Sequence, residues 1–531
     1  MANGRLLPPP ESPQDPRRRS MLIKQSQFLL KHGKRHHSFD REKAPYPLNY
    51  DKETIDLDVL DHLFFKQMKQ SVSYIDLKDG HPERSLDLGC GSGAWVLDAA
   101  KEWPDCQFVG FDLVNMQPPI CMLDQDPSLK GRIQWVHGNF LTTKLPFDDD
   151  EFDHIHIQAI ARTVPENKWP YLFEEVFRVL SPGGAIEMIE EDITFPVLPR
   201  WYTAPLRSRE RRLPSIHLPD GARVIPPSPP LTPPPPDLPH DHALLESLYN
   251  SVYESRFINR EPTSILPSYF STYFRQVLCS PVINFPMPPV PLNPSYKSVS
   301  ASRLSSSPSD RARMYTHRKS SSSGSGSSDS KTEVGSPFNQ ERTPPTSDCD
   351  SLRNSPCSET FPSPVQPYYS SPSDDTSIGY EAQTALLPMS ALSKTTDLGL
   401  ALHLHRSCHS VLACQESMWE ELKDRIRNRE EQLKLLGWND EELEGHRSRQ
   451  RFETLIDRYK SDMQARIALW QPITNSLSWK VPHREPLSKS ELIEEERLHK
   501  AMLQARKHAS LEESKTQCRR VRIFVGYKAS S

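Results

Sequence analysis

Asp87, Gly89, Gly91, Gly93 and Asp112 are the residues whose types and spacing best suit chemistry in this chain. They fall in one run, SLDLGCGSGAWVLDAAKEWPDCQFVGFDLV, residues 85–114. Leu86 and Leu88 are the apolar positions of a short strand. The glycines after it permit positive φ and the close approach of a ligand to the backbone. A helix predicted from Ala94 to Glu102 aims its N-terminal N–H groups at whatever lies over the turn. A second strand, 109–111, ends at Asp112, where a carboxylate can accept from two vicinal ribose hydroxyls.

The spacing discriminates between nucleoside cofactors. A dinucleotide turn reads G-x-G-x-x-G and serves a pyrophosphate, whereas this one reads D-x-G-x-G-x-G. A carboxylate at Asp87 repels a pyrophosphate and attracts an ammonium group. S-adenosylmethionine carries an ammonium and a ribose and no phosphate, so it is the expected cofactor. The competing reading is a tight strand–helix turn in another kind of α/β protein, and the glycines, the two acids and the strand–helix–strand context together oppose it.

The elements that must position these residues follow in order. RIQWVH, residues 132–137, reads as a third strand ending at Gly138, Asn139 and Phe140. Ligands of such sheets lie beyond the carboxyl ends of the strands, so Asn139 is placed to bond an adenine edge and Phe140 to pack its face. LPFDDDEFDHIHIQ gives a polar turn and a fourth strand, 152–157. A helix in NKWPYLFEEVFRVL, a turn at SPGG and a fifth strand in AIEMIEE complete an alternating pattern that implies a parallel sheet. The fold class expected is α/β, a doubly wound Rossmann-like sheet with long disordered insertions and a helical C-terminal region.

These residues resemble class I S-adenosylmethionine-dependent methyltransferases and, among them, the fungal LaeA-like (Umta-type) group. The resemblance runs from YPLNYDKETIDLDVLDHLF through LDLGCGSGAWVLDAAKEWPDCQFVGFDLVNMQPP and LPFDDDEFDHIHIQAIA to VFRVLSPGGAIEMIEED. It includes Trp95, Asp98, Pro104, Gln117 and Pro118 at the group's positions. It implies that Asp87 serves the methionine amino group, Gly89, Gly91 and Gly93 form the floor, Asp112 clamps the ribose and Leu113 walls the adenine. The chain departs from the group where Asn139 replaces an acid, where Gln158 replaces an arginine near the transferred methyl, and where the helix upstream lacks an arginine between Glu53 and His62.

Methyl transfer from a sulfonium asks the protein for alignment, desolvation and removal of an acceptor proton. His154 and His156 share one face of the fourth strand, and Glu190 and Glu191 follow the fifth. His156, Gln158 and Glu190 are the candidates for the catalytic step. The plain alternative is that both histidines are hydrogen-bonded interior groups. No Asn-Pro-Pro-aromatic motif follows the fourth strand, which argues against amino-methylating enzymes of the DNA type.

Of 531 residues, 51 are proline and the mean hydropathy is −0.63, so part of the chain buries no core. The expected organisation is a disordered basic arm, 1–45; a methyltransferase core, 46–202; a Pro-rich disordered insertion, 203–240; a helical segment packing on the core, 241–287; a Ser/Pro-rich disordered insertion, 288–380; and a helical C-terminal part, 381–531. A final strand at 521–525 is expected to complete the sheet, which makes the long tracts insertions inside one catalytic domain. The charged helices at 448–469 and 488–512 sustain no heptad, so solvated faces are expected rather than a coiled coil.

Nine cysteines with no C-x-x-C pair read as reduced thiols. His403, His405, Cys408, His409 and Cys414 cluster on one helix, but only His405 and His409 have ligand spacing, so the histidines are read as helix-surface residues and no metal is expected. A net charge of −4 gives no global attraction for nucleic acid. No apolar run of spanning length is present, so a cytoplasmic, membrane-free location is expected. The basic arm offers a two-part nuclear import signal in Arg17–Arg19 and Lys31–His37, against the alternative of a solvated tail. The expected partners are a small-molecule or protein methyl acceptor, and regulatory proteins reached through the disordered tracts. A cofactor-binding regulator with this fold and little turnover is the alternative function, and a nicotinamide-dependent oxidoreductase is disfavoured by Asp87.

Overall fold

The basic arm is folded where the computed structural model describes it. Described are residues 27–75, 77, 80–207, 216–217, 223–224, 239–288, 386, 396–436, 438–467, 489–510 and 516–530, all within one compact unit. Strands β1 (Phe28–Lys31) and β2 (Lys34–His37) form an antiparallel hairpin whose turn residues His32 and Gly33 both have positive φ. Arg35 Nε donates to Tyr50 O at 2.9 Å, and Arg35 N to Asp51 Oδ1 at 3.1 Å. His36 and His37 are buried, and burial followed by the charge of Lys31 lowers His36 to about 4. The expectation of a disordered arm over 1–45 is therefore corrected for residues 27–45, and the second half of the import-signal reading falls on a tethered hairpin. Arg17–Arg19 lie outside the described residues, as do the Ser/Pro-rich tract 289–380 and most of 203–240.

Helix α1 (Lys52–Lys69) precedes the sheet. Strand β3 (Arg84–Leu88) holds Leu86 and Leu88 fully buried on either side of Asp87. Helix α2 (Ala94–Glu102) follows the glycine turn and buries Trp95, Val96, Ala99 and Ala100, one face of a 3.6-residue period. Strands β4 (Gln107–Asp112), β5 (Ile133–His137), β6 (Phe152–Gln158) and β7 (Leu180–Glu191) then join β3 in parallel. Helix α3 (Trp169–Val179) links β6 to β7 through buried Leu172, Phe173, Val176 and Val179. These strands bury polar side chains as well as apolar ones: in β6, Ile155 and Ile157 alternate with His154 and His156, all four buried.

The segment 241–287 is helical through α4 (Ala243–Glu254) and α5 (Pro262–Tyr273), with Leu244, Leu245, Leu248 and Val252 buried. It then departs from the helical reading and forms strands β8 (Arg275–Cys279) and β9 (Ile283–Pro286). Both pair with β10 (Gln517–Tyr527), which also runs antiparallel to β7, Ile523 opposite Ile189. The sheet has eight strands, ordered β8-β10-β7-β6-β3-β4-β5 with β9 alongside β10. This inner strand is also packed by α5 and by the later helix Asp397–Ala413, and Val521, Ile523, Phe524 and Val525 of β10 are all fully buried.

Between β9 and β10 in sequence come α6 (Asp397–Ala413), α7 (Gln415–Asn428), α8 (Gly445–Ile467) and α9 (Lys489–Lys507). Helix α6 packs on α1, α8, β9 and β10 together, so nearly every face is covered. The reading of its histidines as surface residues is accordingly corrected for His403 and His409, which are buried. His403 stacks on Phe285 at 3.6 Å between ring centroids. Helix α8 keeps a charged outer face and buries Phe452, Ile456, Tyr459 and Met463 as a stripe. Among the described residues no helix is long and apolar enough to cross a membrane.

Candidate active site

The glycine turn is fixed from beneath by β4. Gly89 N and Cys90 N both donate to Phe111 O, at 2.8 and 3.0 Å. Gly91 N donates to Asp112 Oδ2 at 2.9 Å, and Val114 N to Asp112 Oδ1 at 3.0 Å, so each carboxylate oxygen is oriented and keeps a lone pair for a ligand. Gln117 Nε2 donates to Gly91 O at 2.6 Å, while its Oε1 meets His137 Nε2 at 3.0 Å. Trp95 Nε1 donates to Val72 O at 2.8 Å. Asp98, at 3.0 Å from His62 and 3.1 Å from Lys66, is lowered to about 2, chiefly by the His62 hydrogen bond. The positions matched in the resemblance thus brace the turn and its helix.

Asp87, Gly89, Gly91, Asp112, Leu113, Asn139, Phe140, His156 and Gln158 line one cavity of about 190 Å³ above the carboxyl ends of the strands. Gly91 has φ +52°, and a Cβ there would meet no atom within 4 Å, so ligand can lie directly on the backbone. Gly93 stays outside the lining: it opens α2, and a Cβ there would strike Trp135 at 2.6 Å. Asn139 is committed to main chain at both ends, Nδ2 to Lys43 O at 2.7 Å and Oδ1 from Leu141 N at 2.9 Å. Its second N–H and one lone pair of Oδ1 remain for an adenine edge.

Glu190 also lies off the cavity lining, since its Oε1 accepts from Ile160 N and Ala161 N at 2.8 and 3.1 Å and supports the loop after β6. Burial raises it to about 8. His154 bonds Ser85 Oγ through Nδ1 at 2.8 Å and is likewise off the lining, as the interior reading expects. His156 does reach it. Its ring stacks on Trp95 at 4.1 Å, its Nδ1 lies 2.9 Å from Glu187 Oε1, and burial lowers its pKa. Asp87, His156 and Glu187 are opposite one another across β3, β6 and β7.

The electrostatics are acidic on one side. Burial, then the neighbouring charges of Asp112 and Glu187, raises Asp87 well above the usual carboxylate range. Burial lifts Asp112 to about 6 against the pull of the Val114 and Gly91 N–H groups. A cation placed beside these two acids relieves that cost.

Other lining residues escaped the sequence reading: Tyr46, Tyr50, Asp58, Arg162, Arg406 and His409. Arg406 on α6 donates to Asp58 Oδ1 at 2.8 Å and lies 3.3 Å from Asp61 and 3.5 Å from Glu191. Glu191 also binds Arg162 at 2.5 Å and Arg519 of β10, which holds Asp61 through both guanidinium amino groups. One buried carboxylate therefore joins three arginines from distant stretches of chain. The arginine missing from α1 has a counterpart beside Asp58 that arrives from α6. Only Arg162 carried a sequence signal, as a charged residue just past a strand's carboxyl end.

A donor set of one buried and one half-buried carboxylate, an open glycine backbone and a flanking phenylalanine fits S-adenosylmethionine: Asp112 for the ribose, Asp87 for the ammonium, Phe140 and Leu113 for the adenine. The family model described as Methyltransferase domain matches residues 86–184. The secondary metabolism regulator LAE1 of Cochliobolus heterostrophus is 29% identical over 192 residues, 34% of this chain and 59% of that protein. The protein-methionine methyltransferase laeA of Emericella nidulans is 31% identical over 179 residues, 32% of this chain and 41% of that protein. The match thus spans about half the length of these curated relatives. Human N-acetylserotonin methyltransferase in complex with SAM is 22% identical, covering 28% of this chain and 39% of that one with a TM-score of 0.21. Residues 86–184 are thus a methyltransferase domain, similar over about a third of the chain to the fungal LaeA proteins, and its cofactor is S-adenosylmethionine.

Proposed function

We propose that this chain moves a methyl group from S-adenosylmethionine to a nucleophilic acceptor held beside His156 and Gln158. The observation that carries the reading is the pair of acids, buried Asp87 and half-buried Asp112, bracketing an open glycine turn in one cavity. When bound, the cofactor supplies an activated methyl on a sulfonium and leaves as a neutral thioether. Asp112 takes the ribose hydroxyls and Asp87 the ammonium, which fixes the direction of the sulfonium. Tyr46 and Tyr50, with ring centroids 5.3 Å apart, line the cavity and exclude water from the transfer. His156 Nε2 is buried without a hydrogen-bond partner among the described residues, while Nδ1 faces Glu187. A neutral imidazole oriented in this way by a carboxylate can take an acceptor proton.

The acceptor is a protein or a small molecule; the name of the Emericella nidulans relative, a protein-methionine methyltransferase, supports a protein. The test is a labelled-methyl assay with the purified full chain and an extract of its own cells, split into protein and small-molecule fractions. Label entering one fraction, and lost with Asp112→Ala, is the expected result. Cofactor binding with no label in either fraction overturns turnover and leaves a cofactor-binding regulator.

A further inference from the structure

The loop after β6 carries a cation with unused hydrogen bonds. Arg162 is 6% exposed and lines the cavity. Its Nη2 donates to Glu191 Oε1 at 2.5 Å, whereas Nε and Nη1 are buried with no hydrogen-bond partner among the described residues. A guanidinium is a planar fork of five donors, and buried donors left unpaired are costly. The other cation of the lining, Arg406, is by contrast engaged by Asp58, Asp61 and Glu191.

The position of Arg162 along the sheet says what its free edge meets. Asp112 ends β4, and Asn139 and Phe140 follow β5, so ribose and adenine belong to that side of the cavity. Arg162 follows β6, on the other side of β3. Its loop abuts the glycine turn closely enough that a Cβ on Gly89 would strike Ile160 Cγ2 at 2.6 Å. A ligand with its ribose at Asp112 and its adenine toward Phe140 must send its amino-acid end back over β3 and β6. That end carries an ammonium and a carboxylate, and Asp87 can serve only the ammonium.

We propose that Arg162 is the carboxylate-binding residue of this site, gripping the methionine carboxylate of S-adenosylmethionine through its Nε and Nη1 edge while Asp87 takes the amino group. The assignment rests on the cofactor reading above. The fork geometry matters as much as the charge, because two parallel N–H groups match two carboxylate oxygens where a lysine offers a point charge.

Calorimetric titration of the full chain with two ligands tests it. S-adenosylhomocysteine has the amino-acid end, and 5′-methylthioadenosine keeps the adenosine and the thioether but lacks that end. Arg162→Gln should weaken S-adenosylhomocysteine about 10–100-fold and leave 5′-methylthioadenosine within a few-fold, with Arg162→Lys intermediate for the first ligand. Unchanged affinity for S-adenosylhomocysteine overturns the proposal and assigns the free edge to an anionic methyl acceptor. Equal weakening of both ligands overturns it too, and makes Arg162 a prop for the loop. Should Arg162→Gln fail to fold, Arg162→Lys decides alone by the same difference between the two ligands. Failure of the wild-type chain to bind either ligand strikes the cofactor reading instead, so the two failures are distinct.

Discussion

Asp112 is buried enough to be half protonated near pH 6, and that makes ligand binding pH-sensitive. A carboxyl raised above its unfolded value keeps a proton that the unfolded chain has released. Its contribution to stability is therefore lost as pH rises from the usual carboxylate range through about 6. Binding runs the opposite way, because the ribose hydroxyls need the ionised form as acceptor. Affinity for S-adenosylhomocysteine should fall about tenfold from pH 7 to pH 5, and Asp87, also raised, pulls in the same direction. Asp112→Asn should cost about 1–3 kcal/mol of binding at pH 7 and flatten the profile. Calorimetry over that pH range checks both, and a flat wild-type profile would sink the assignment. At this scale the acidic half of the site was legible, since Asp87, the glycines and Asp112 are fixed by one strand–turn–helix–strand unit. The basic half was not. Arg406 reaches Asp58 from a helix more than 300 residues away in sequence, and no local spacing encodes such a meeting.

At the scale of elements, β10 is held by two neighbours and by charge. It pairs with β7 on one side and with β8 and β9 on the other, and Arg519 ties it to Asp61 and Glu191. Removing one member of a buried ionic cluster typically costs 3–5 kcal/mol, and each fully buried Val, Ile or Phe about 1.5–3. A chain ended before Gln517 should therefore aggregate or fail to bind cofactor, and a soluble, cofactor-binding truncation would show the sheet closes without β10. The strand itself was readable from RRVRIFVGYK, because its apolar run, 521–525, resembles the late antiparallel strand that completes the sheet of class I methyltransferases. Strands β8 and β9 were not. Aromatic residues such as Tyr269 and Phe270 carried the helical pattern up to Tyr273, and the strands exist because β10 offers a second edge. The histidines of α6 misled for a related reason: polar residues read as surface until other elements cover every face of the helix.

For the whole molecule, the two stretches on either side of the 289–395 tract make one body. Helix α6 supplies Arg406, His409 and Ser410 to the cavity that the first stretch founds, and Asn49 N donates to Ala413 O at 3.0 Å. Arg425 Nη2 bonds Ser251 Oγ at 2.7 Å, and Ser417 Oγ bonds Pro47 O at 2.8 Å. An interface that supplies sheet strands and cavity wall together is of the obligate kind. Cutting the folded chain at a protease site engineered between residues 320 and 330 should leave two pieces that co-purify and bind S-adenosylhomocysteine as before. Separation of the pieces under native conditions would show that covalent continuity holds the cavity together.

The place of β10 in the sheet also bears on how the chain is made. Its partner β7 is complete once residue 191 has been synthesised, while the strand that must lie beside it starts at residue 517. At roughly 5–20 residues per second, the gap is on the order of 20–60 s. Through that time β7 presents an open row of backbone donors and acceptors, the feature that invites pairing with other chains. Every nascent copy must therefore wait, half-built, for its own last strand. Production of this protein is expected to depend on translation speed and on chaperones that shield strand edges, and slowing elongation between residues 191 and 517 should lower the soluble yield far more than slowing it before residue 180.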